Sequence, residues 1–191
     1  MSISDRIRVK DVRLLSDAYG TLKNTTFEWR RTDGKWQTQH RETYDRGGAA
    51  TILPYNLARR TVVLVRQLRY PAYAAGYDNL MIEAAAGLLD DAAPEERIRL
   101  EAEEEIGYRL REVREIFAAF MSPGVLTEKM YAFVAYDLTK ENQALEEGEE
   151  IELAPTSMAE AIEMCGDGRI ADGKTIASLM LFDRKKNRRK D

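Results

Sequence analysis

The chain has 191 residues, of which 44% are hydrophobic and 32% charged, and its net charge is −4. These values predict one folded domain with at most a small appendage and exclude a wholly disordered chain. No stretch reaches the roughly 18 consecutive apolar residues of a membrane helix, and residues 1–13 lack the apolar segment of a secretory signal. The single cysteine, Cys165, excludes an internal disulfide and a cysteine-based zinc cluster. We therefore expect a protein of the reducing cytoplasm.

The charge is unevenly distributed along the chain. Six of the eight residues 184–191 are Lys or Arg, so the remainder is acidic. An acidic body argues against general nucleic-acid binding, which requires many phosphate-neutralising contacts. We interpret the basic tail as a solvated helix end whose cations favour the helix dipole, with a nucleic-acid contact at the tail as the alternative.

The order of predicted elements indicates an α/β fold with a mixed sheet, because strands and helices alternate irregularly. A hairpin-turn signal at 32–35 joins two strand patterns, so residues 1–46 are predicted to form a small antiparallel sheet ahead of a main domain at 47–191. The main domain is predicted to contain strands at 49–55, 61–69, 82–86, 113–120 and 129–136, an acidic loop at 146–152, and helices at 94–106, 155 or 157 to about 166, and 173–184.

The first of these helices contains a cluster of glutamates. At about 100° per residue, Glu101, Glu104 and Glu105 share one face, whereas Glu103 points away from it. Like charges at this spacing repel one another, and a divalent cation such as Mg²⁺, which takes oxygen ligands, would reverse that penalty. A solvated acidic helix face is the other interpretation of the same pattern.

The segment from Gly87 to Tyr108 resembles the Nudix box, the signature of hydrolases that act on nucleoside diphosphates linked to another group. That box reads Gly, five residues, Glu, seven residues, then Arg-Glu-U-x-Glu-Glu-x-Gly-U, where U is a bulky aliphatic residue. Here the interval is one residue short, and Ala93 and Leu100 stand where the box has its first Glu and its Arg. Arg97, one helical turn before Glu101, is placed to replace the lost arginine.

Four further segments, at 44–47, 65–69, 121–124 and 172–175, are similar to the GDP-mannose pyrophosphatase branch of the Nudix hydrolases, to which ADP-ribose pyrophosphatases are related. The resemblance extends over about residues 10–180. It implies an α/β/α sandwich with a mixed sheet. It also implies a homodimer in which the N-terminal strands are exchanged or packed across the two subunits, so that each active site is shared.

The resemblance also implies roles for individual residues. The Ala86 carbonyl, Glu101, Glu105 and Glu149 would bind Mg²⁺, or alternatively Mn²⁺, and Glu104 would support this cluster. Glu149, in the acidic loop, would also be the base that activates water, with Glu150 and Glu152 as the next choices. The residues expected to contact substrate are Tyr19, His40, Arg41, Glu42, Arg69, Ala86, Gly87, Leu88, Glu128 and Lys174.

The expected activity is metal-dependent hydrolysis of the pyrophosphate bond of a nucleotide sugar, with GDP-mannose giving GMP and mannose 1-phosphate. The nearest alternative is the same chemistry on ADP-ribose. A further alternative is a nucleotide-sugar-binding module without catalysis, which the replacements at Ala93 and Leu100 favour. The expected partners are a small-molecule substrate and a second copy of the chain, with no membrane.

Overall fold

The computed structural model of the chain describes residues 2–90, 92–145 and 147–187. The basic residues 188–191, and Glu146 of the predicted acidic loop, lie outside this range. The strands are β1 Ile7–Asp17, β2 Thr21–Arg30, β3 Trp36–Asp45, β4 Ala49–Asn56, β5 Thr61–Gln67, β6 Met81–Glu83, β7 Ala86–Leu88, β8 Tyr108–Phe120, β9 Lys129–Lys140 and β10 Glu152–Ser157. The helices are α1 Tyr70–Ala74, α2 Pro94–Ile106, α3 Met158–Asp167 and α4 Gly173–Asn187.

The chain divides into two compact units, the first of which consists of Met1–Gly47 and Phe120–Glu128. In this unit β1, β2 and β3 form an antiparallel sheet in chain order, which confirms the predicted small N-terminal sheet. β1 is exposed over its whole length, and its apolar side chains Val9 and Leu14 are 61% and 53% exposed. Such a long exposed apolar strand is typical of a surface that another polypeptide covers.

The second unit, Gly48–Ala119 and Lys129–Asp191, is built on a seven-stranded sheet. Its strand order is β10-β5-β4-β9-β8, with β6 paired to β5 and β7 paired to β4. β4 and β9 are parallel, whereas β5 is antiparallel to β4, β6 and β10. This arrangement confirms the predicted mixed sheet.

Alternate residues of β4 pack against helices on opposite faces of this sheet, as the period of two in a strand requires. Ile52 packs in a core with Ile98 and Ile106 of α2. Its neighbour Leu53 packs in a second core that includes side chains of α3 and α4. The two cores place α2 on one face and α3 and α4 on the other, which is the predicted α/β/α sandwich.

The predicted strand at 82–86 is wrong in one respect, since the chain forms two short strands there. β6 pairs with β5, and β7 pairs with β4, so the chain crosses from one neighbour to the other at Ala84 and Ala85. The Ala84 N–H donates to Thr175 Oγ1 of α4 at 2.8 Å, and the Ala85 carbonyl accepts from the Ile52 N–H of β4 at 3.0 Å. These hydrogen bonds to α4 and β4 therefore determine where β6 ends and where β7 begins.

The helix bounds follow local signals closely. α2 spans Pro94–Ile106 as predicted, and Gly107 ends it in the left-handed conformation, with φ of 62°. Ser157 caps α3, accepting from the Glu160 N–H at 3.1 Å. The short helix α1 was not predicted. Within the described ranges, no helix combines the length and the apolar character required to cross a bilayer.

Candidate active site

Helix α2 presents two buried carboxylates on the face that packs against the sheet. Glu101 is 6% exposed and Glu105 is 8% exposed, although acidic side chains are seldom buried without partners. Glu104 is exposed, and its negative charge raises the pKa of Glu101. The structure therefore buries two of the three predicted carboxylates and leaves the third at the edge of the cluster.

Strand β7 lies directly against Glu101. A Cβ at Gly87 would lie 1.9 Å from Glu101 Oε1, so no other residue fits there without displacing this carboxylate. β7 is held by antiparallel pairing to β4, where Gly87 is opposite Ala50. This close approach positions the segment Ala86–Leu88 beside the acidic face of α2.

Arg97 orients Glu101. Its Nη2 lies 2.5 Å from Glu101 Oε1, and its Nε donates to the Leu88 carbonyl at 3.1 Å. The structure thus confirms that Arg97 lies beside Glu101, one turn away on α2. Arg97 also links α2 to β7 through its bond to the Leu88 carbonyl. The position of the arginine in the usual box is occupied here by Leu100.

The pKa values of both buried carboxylates are raised. Burial, reinforced by the charge of Glu101, raises the pKa of Glu105 to about 8 from an ordinary value of 4.5. Glu105 Oε2 is buried and has no hydrogen-bond partner among the described residues. Burial also raises the pKa of Glu101, and the positive charge of Arg97 opposes this shift. Two such carboxylates repel each other and are suited to hold a cation.

A second charged cluster joins the end of β5, β6 and the start of α4. Arg69 Nε donates to Glu83 Oε1 at 2.6 Å, and Lys174 Nζ donates to Glu83 Oε2. Lys174 Nζ also donates to Asp172 Oδ2 at 3.0 Å. Arg69 lies near enough to Glu105 to lower its pKa, so this cluster borders the acidic pair. The sequence reasoning selected Arg69 and Lys174 but missed Glu83 and Asp172.

The described part of the predicted acidic loop that precedes β10, residues 147–151, approaches the same carboxylates. Glu149 is exposed, and its charge raises the pKa of both Glu101 and Glu105. However, within the part of the chain that the structure describes, no three His, Cys, Asp or Glu side chains are grouped closely enough to hold a metal ion. Glu149 would therefore have to move closer to share a cation with Glu101 and Glu105.

The remaining predicted substrate contacts belong to the first unit. Tyr19 is exposed and its ring stacks under the Arg46 guanidinium at 3.7 Å. His40 is exposed on β3 with Nδ1 3.0 Å from Thr26 Oγ1, and its neighbours Arg41 and Glu42 are exposed too. Glu128 is half-buried at the end of this unit.

A cavity of about 410 Å³ lies elsewhere in the second unit. It shares no lining residue with the predicted site. Its lining consists of Tyr55, Leu57, Glu112, Arg114, Glu115, Ile116, Val134, Tyr136, Phe182, Lys185 and Lys186. Lys185 donates to the Ile116 carbonyl and Lys186 donates to Tyr55 OH. Because its lining contains neither Glu101 nor Glu105, this cavity is not the centre of the acidic site.

Comparisons with known proteins agree with this geometry. A family model described as the GDP-mannose pyrophosphatase NudK N-terminal domain matches residues 6–44. A GDP-mannose pyrophosphatase of Pectobacterium atrosepticum is 46% identical over 181 residues, which cover 93% of this chain and 94% of the relative. A GDP-mannose pyrophosphatase of Salmonella typhimurium is 46% identical over 175 residues, which cover 90% of this chain and 91% of the relative.

The crystal structure of an ADP compounds hydrolase superposes with a TM-score of 0.79 over 96% of each chain, at 18% identity, and so shares the fold. The similarity to these pyrophosphatases over most of the chain shows that the protein is a Nudix hydrolase, and the sandwich agrees with this class. Among these enzymes, the chain belongs to the GDP-mannose pyrophosphatase family.

Proposed function

We propose that the protein hydrolyses the pyrophosphate bond of GDP-mannose, giving GMP and mannose 1-phosphate. The observation that carries the proposal is the buried Glu105 Oε2 beside Glu101, which has no hydrogen-bond partner among the described residues, in a chain 46% identical to a protein named for this activity. Water attacks one phosphorus of the diphosphate, and the bond from that phosphorus to the bridging oxygen breaks. The compartment we propose is the reducing cytoplasm, in keeping with the single cysteine.

The acidic pair suits a hard divalent cation. Glu105 Oε2 is a buried carboxylate oxygen that accepts no hydrogen bond within the described part of the chain, and oxygen is the ligand type that Mg²⁺ takes. Glu101, Glu105 and the Ala86 carbonyl would hold Mg²⁺, or Mn²⁺ in its place, with Glu149 completing the set. When bound, the cation would neutralise phosphate charge and lower the pKa of water.

Other residues of the chain orient the carboxylates, bind the diphosphate and accept a proton. Arg97 keeps Glu101 oriented, and Glu104 adds negative charge at the edge of the pair. The positive charges of Arg69 and Lys174 offset the negative charge of the diphosphate. They also stabilise the further negative charge that develops on the leaving oxygen as the bond breaks. Glu149, on the exposed loop, accepts the proton of the attacking water when the loop closes over substrate.

The second half of the proposal is a homodimer in which the first unit of one copy serves the site of the other. Its support is β1, whose apolar side chains are exposed along the whole strand. Tyr19, His40, Arg41, Glu42 and Glu128 would contact the nucleotide sugar in this assembly. Light scattering of the intact protein tests it, and a strictly monomeric, fully active enzyme would contradict it.

Turnover of GDP-mannose and ADP-ribose at equal concentration, with Mg²⁺ and then with a chelator, tests the activity. The proposal predicts chelator-sensitive release of GMP and a preference for GDP-mannose. A preference for ADP-ribose would keep the chemistry and change the substrate. No turnover of either, with metal present, would instead favour the binding module.

A further inference from the structure

The charged cluster beside the acidic pair is organised around one carboxylate, that of Glu83. Glu83 is 1% exposed and ends the short strand β6. Its two oxygens accept from two different cations, Oε1 from Arg69 Nε at 2.6 Å and Oε2 from Lys174 Nζ. Arg69 and Lys174 are 105 residues apart in the sequence, and this single carboxylate fixes their separation.

The backbone around Glu83 is also held in place. Thr175 Oγ1 accepts from the Ala84 N–H at 2.8 Å and donates to Asp172, which also accepts from Lys174 Nζ at 3.0 Å. The start of α4 is thereby fastened to the residue after Glu83. The cluster contains two cations and two carboxylates, so its charges balance and its burial is tolerated.

The two cations are not equally enclosed. The Arg69 side chain is 42% exposed, whereas that of Lys174 is 11% exposed. The bond to Glu83 uses only one of the five N–H donors of the arginine. A guanidinium anchored through Nε presents its planar fork in one orientation, which is the arrangement that favours contact with phosphate oxygens.

We propose that Glu83 is a positioning residue, which sets the Arg69 guanidinium and the Lys174 ammonium at a fixed separation for the two phosphates of a nucleoside diphosphate sugar. This inference rests on the proposed function. Glu83 itself is too buried to touch the substrate and acts through the two cations. The proximity of Arg69 and Glu83 to Glu105, whose pKa both affect, places the cluster where a diphosphate held at the acidic pair would lie.

The variant Glu83→Gln distinguishes a positioning role of Glu83 from a simple effect of its charge on anion binding. If charge alone mattered, removing a negative group would tighten anion binding, because two cations would lose their counter-ion. Positioning predicts the opposite, since an amide nitrogen cannot accept from Arg69 or Lys174 and the two cations lose their common anchor.

The probe is inorganic pyrophosphate, titrated calorimetrically into the full-length protein in the presence of a chelator. We expect its Kd to rise about tenfold in Glu83→Gln, which corresponds to about 1.4 kcal/mol. In turnover with metal, we expect the KM for GDP-mannose to rise about tenfold and kcat to fall as well, because Arg69 and Lys174 bind the diphosphate and also stabilise the charge on its leaving oxygen.

The matched control is Ser178→Ala, which removes another, partly buried hydrogen bond of α4, from Ser178 Oγ to the Lys174 carbonyl at 2.7 Å. It should lower the melting temperature and leave pyrophosphate affinity unchanged. If Glu83→Gln folds, the effect of Lys174→Gln on affinity in a double-mutant cycle should be smaller without Glu83 than with it. If Glu83→Gln does not fold, the same change is made in Lys174→Gln, where it restores the charge balance, and the double variant should bind pyrophosphate more weakly than Lys174→Gln alone.

Unchanged or tighter pyrophosphate binding in Glu83→Gln, additive effects in the cycle, or no measurable binding by the unmodified protein would overturn the inference. If the unmodified protein binds pyrophosphate, depends on Glu83 for this, and hydrolyses neither nucleotide sugar, the positioning role stands and the proposed function fails. If it hydrolyses GDP-mannose and Glu83→Gln has no effect on pyrophosphate binding, the proposed function stands and the inference fails.

Discussion

The Gln143 side chain joins the acidic loop to the helix that carries the buried carboxylates. Its Nε2 donates to the carbonyl of Glu105 at 2.7 Å and to the carbonyl of Ile151 at 3.2 Å. The Ala144 N–H donates to the Glu104 carbonyl at 2.9 Å. Carbonyls at the end of α2 lack intrahelical partners, so the segment that leads into the acidic loop also caps this helix.

Gln143→Ala should therefore impair catalysis more than it impairs folding. We expect a loss of stability of about 1–2 kcal/mol for the two hydrogen bonds. We also expect a larger relative fall in kcat, because Glu149 would approach the site from a less defined loop. Chemical denaturation and steady-state kinetics measure the two effects. Asn142→Ala, at the exposed neighbouring position, should change neither, and equal kcat values in both variants would refute the role of Gln143.

Gly87→Ala should disrupt the site through a steric effect alone. The added Cβ would meet Glu101 Oε1 at 1.9 Å, so either β7 or the carboxylate has to move. We expect a destabilisation of about 1–3 kcal/mol, as for other overpacked sites, and a large loss of turnover. Gly166→Ala, within α3 with open space around its Cβ position, is the control and should be neutral or slightly stabilising.

Arg97→Ala tests whether Arg97 replaces the arginine of the usual box. Without Arg97, Glu101 loses its ion pair and β7 loses the bond to the Leu88 carbonyl. Metal affinity and kcat should both fall, with a stability change of about 1 kcal/mol. Arg99→Ala removes the ion pair with Glu95 on the same helix and the bond from Arg99 Nη1 to the Leu110 carbonyl at 2.6 Å. Neither contact involves Glu101 or Glu105, so turnover should stay unchanged. A similar fall in both variants would show a general effect on α2.

The local features of this fold were predictable from the sequence, whereas the long-range ones were not. Pro94 and Gly107 mark both ends of α2, and the helical period places Glu101 and Glu105 on one face, because these signals act within a few residues. The break at Ala84 and Ala85 depends on bonds to Ile52 and Thr175, which no local pattern contains.

Glu83 illustrates the same limit at the site. Its importance depends on Lys174, which is 91 residues away in sequence. A single acidic residue followed by three alanines gives no local indication of this partner. The one available signal was a charged residue within an apolar strand, which is costly to bury unless it is paired.

The stability of the metal-free protein should depend on pH in a way that Glu105 determines. The folded-state pKa of Glu105 is about 8, above its ordinary value of 4.5, so the folded state binds this proton more tightly than the unfolded state. The resulting stabilisation is fully present below about pH 4.5 and is lost as the pH rises through 8. Thermal melts of chelator-treated protein at several pH values measure it.

In Glu105→Gln this contribution to the pH dependence should disappear, because the amide is neutral throughout. The metal-free variant should be more stable than the unmodified protein at pH 8 and above, where the native carboxylate carries its charge in a buried position. Parallel stability curves for the two proteins between pH 5 and 9 would contradict the assignment of this shift to Glu105.

The most direct test of the central claim is a Mg²⁺ titration of GDP-mannose hydrolysis by the unmodified protein and by Glu105→Gln, with Glu103→Gln as the control on the same helix. We expect metal-dependent release of GMP by the unmodified protein and by Glu103→Gln. In Glu105→Gln we expect turnover to fall by at least about a hundredfold, as is typical when a charged catalytic contact is removed, and thermal stabilisation by Mg²⁺ to be lost. Normal Mg²⁺-dependent turnover by Glu105→Gln would show that the buried acidic pair does not hold the metal.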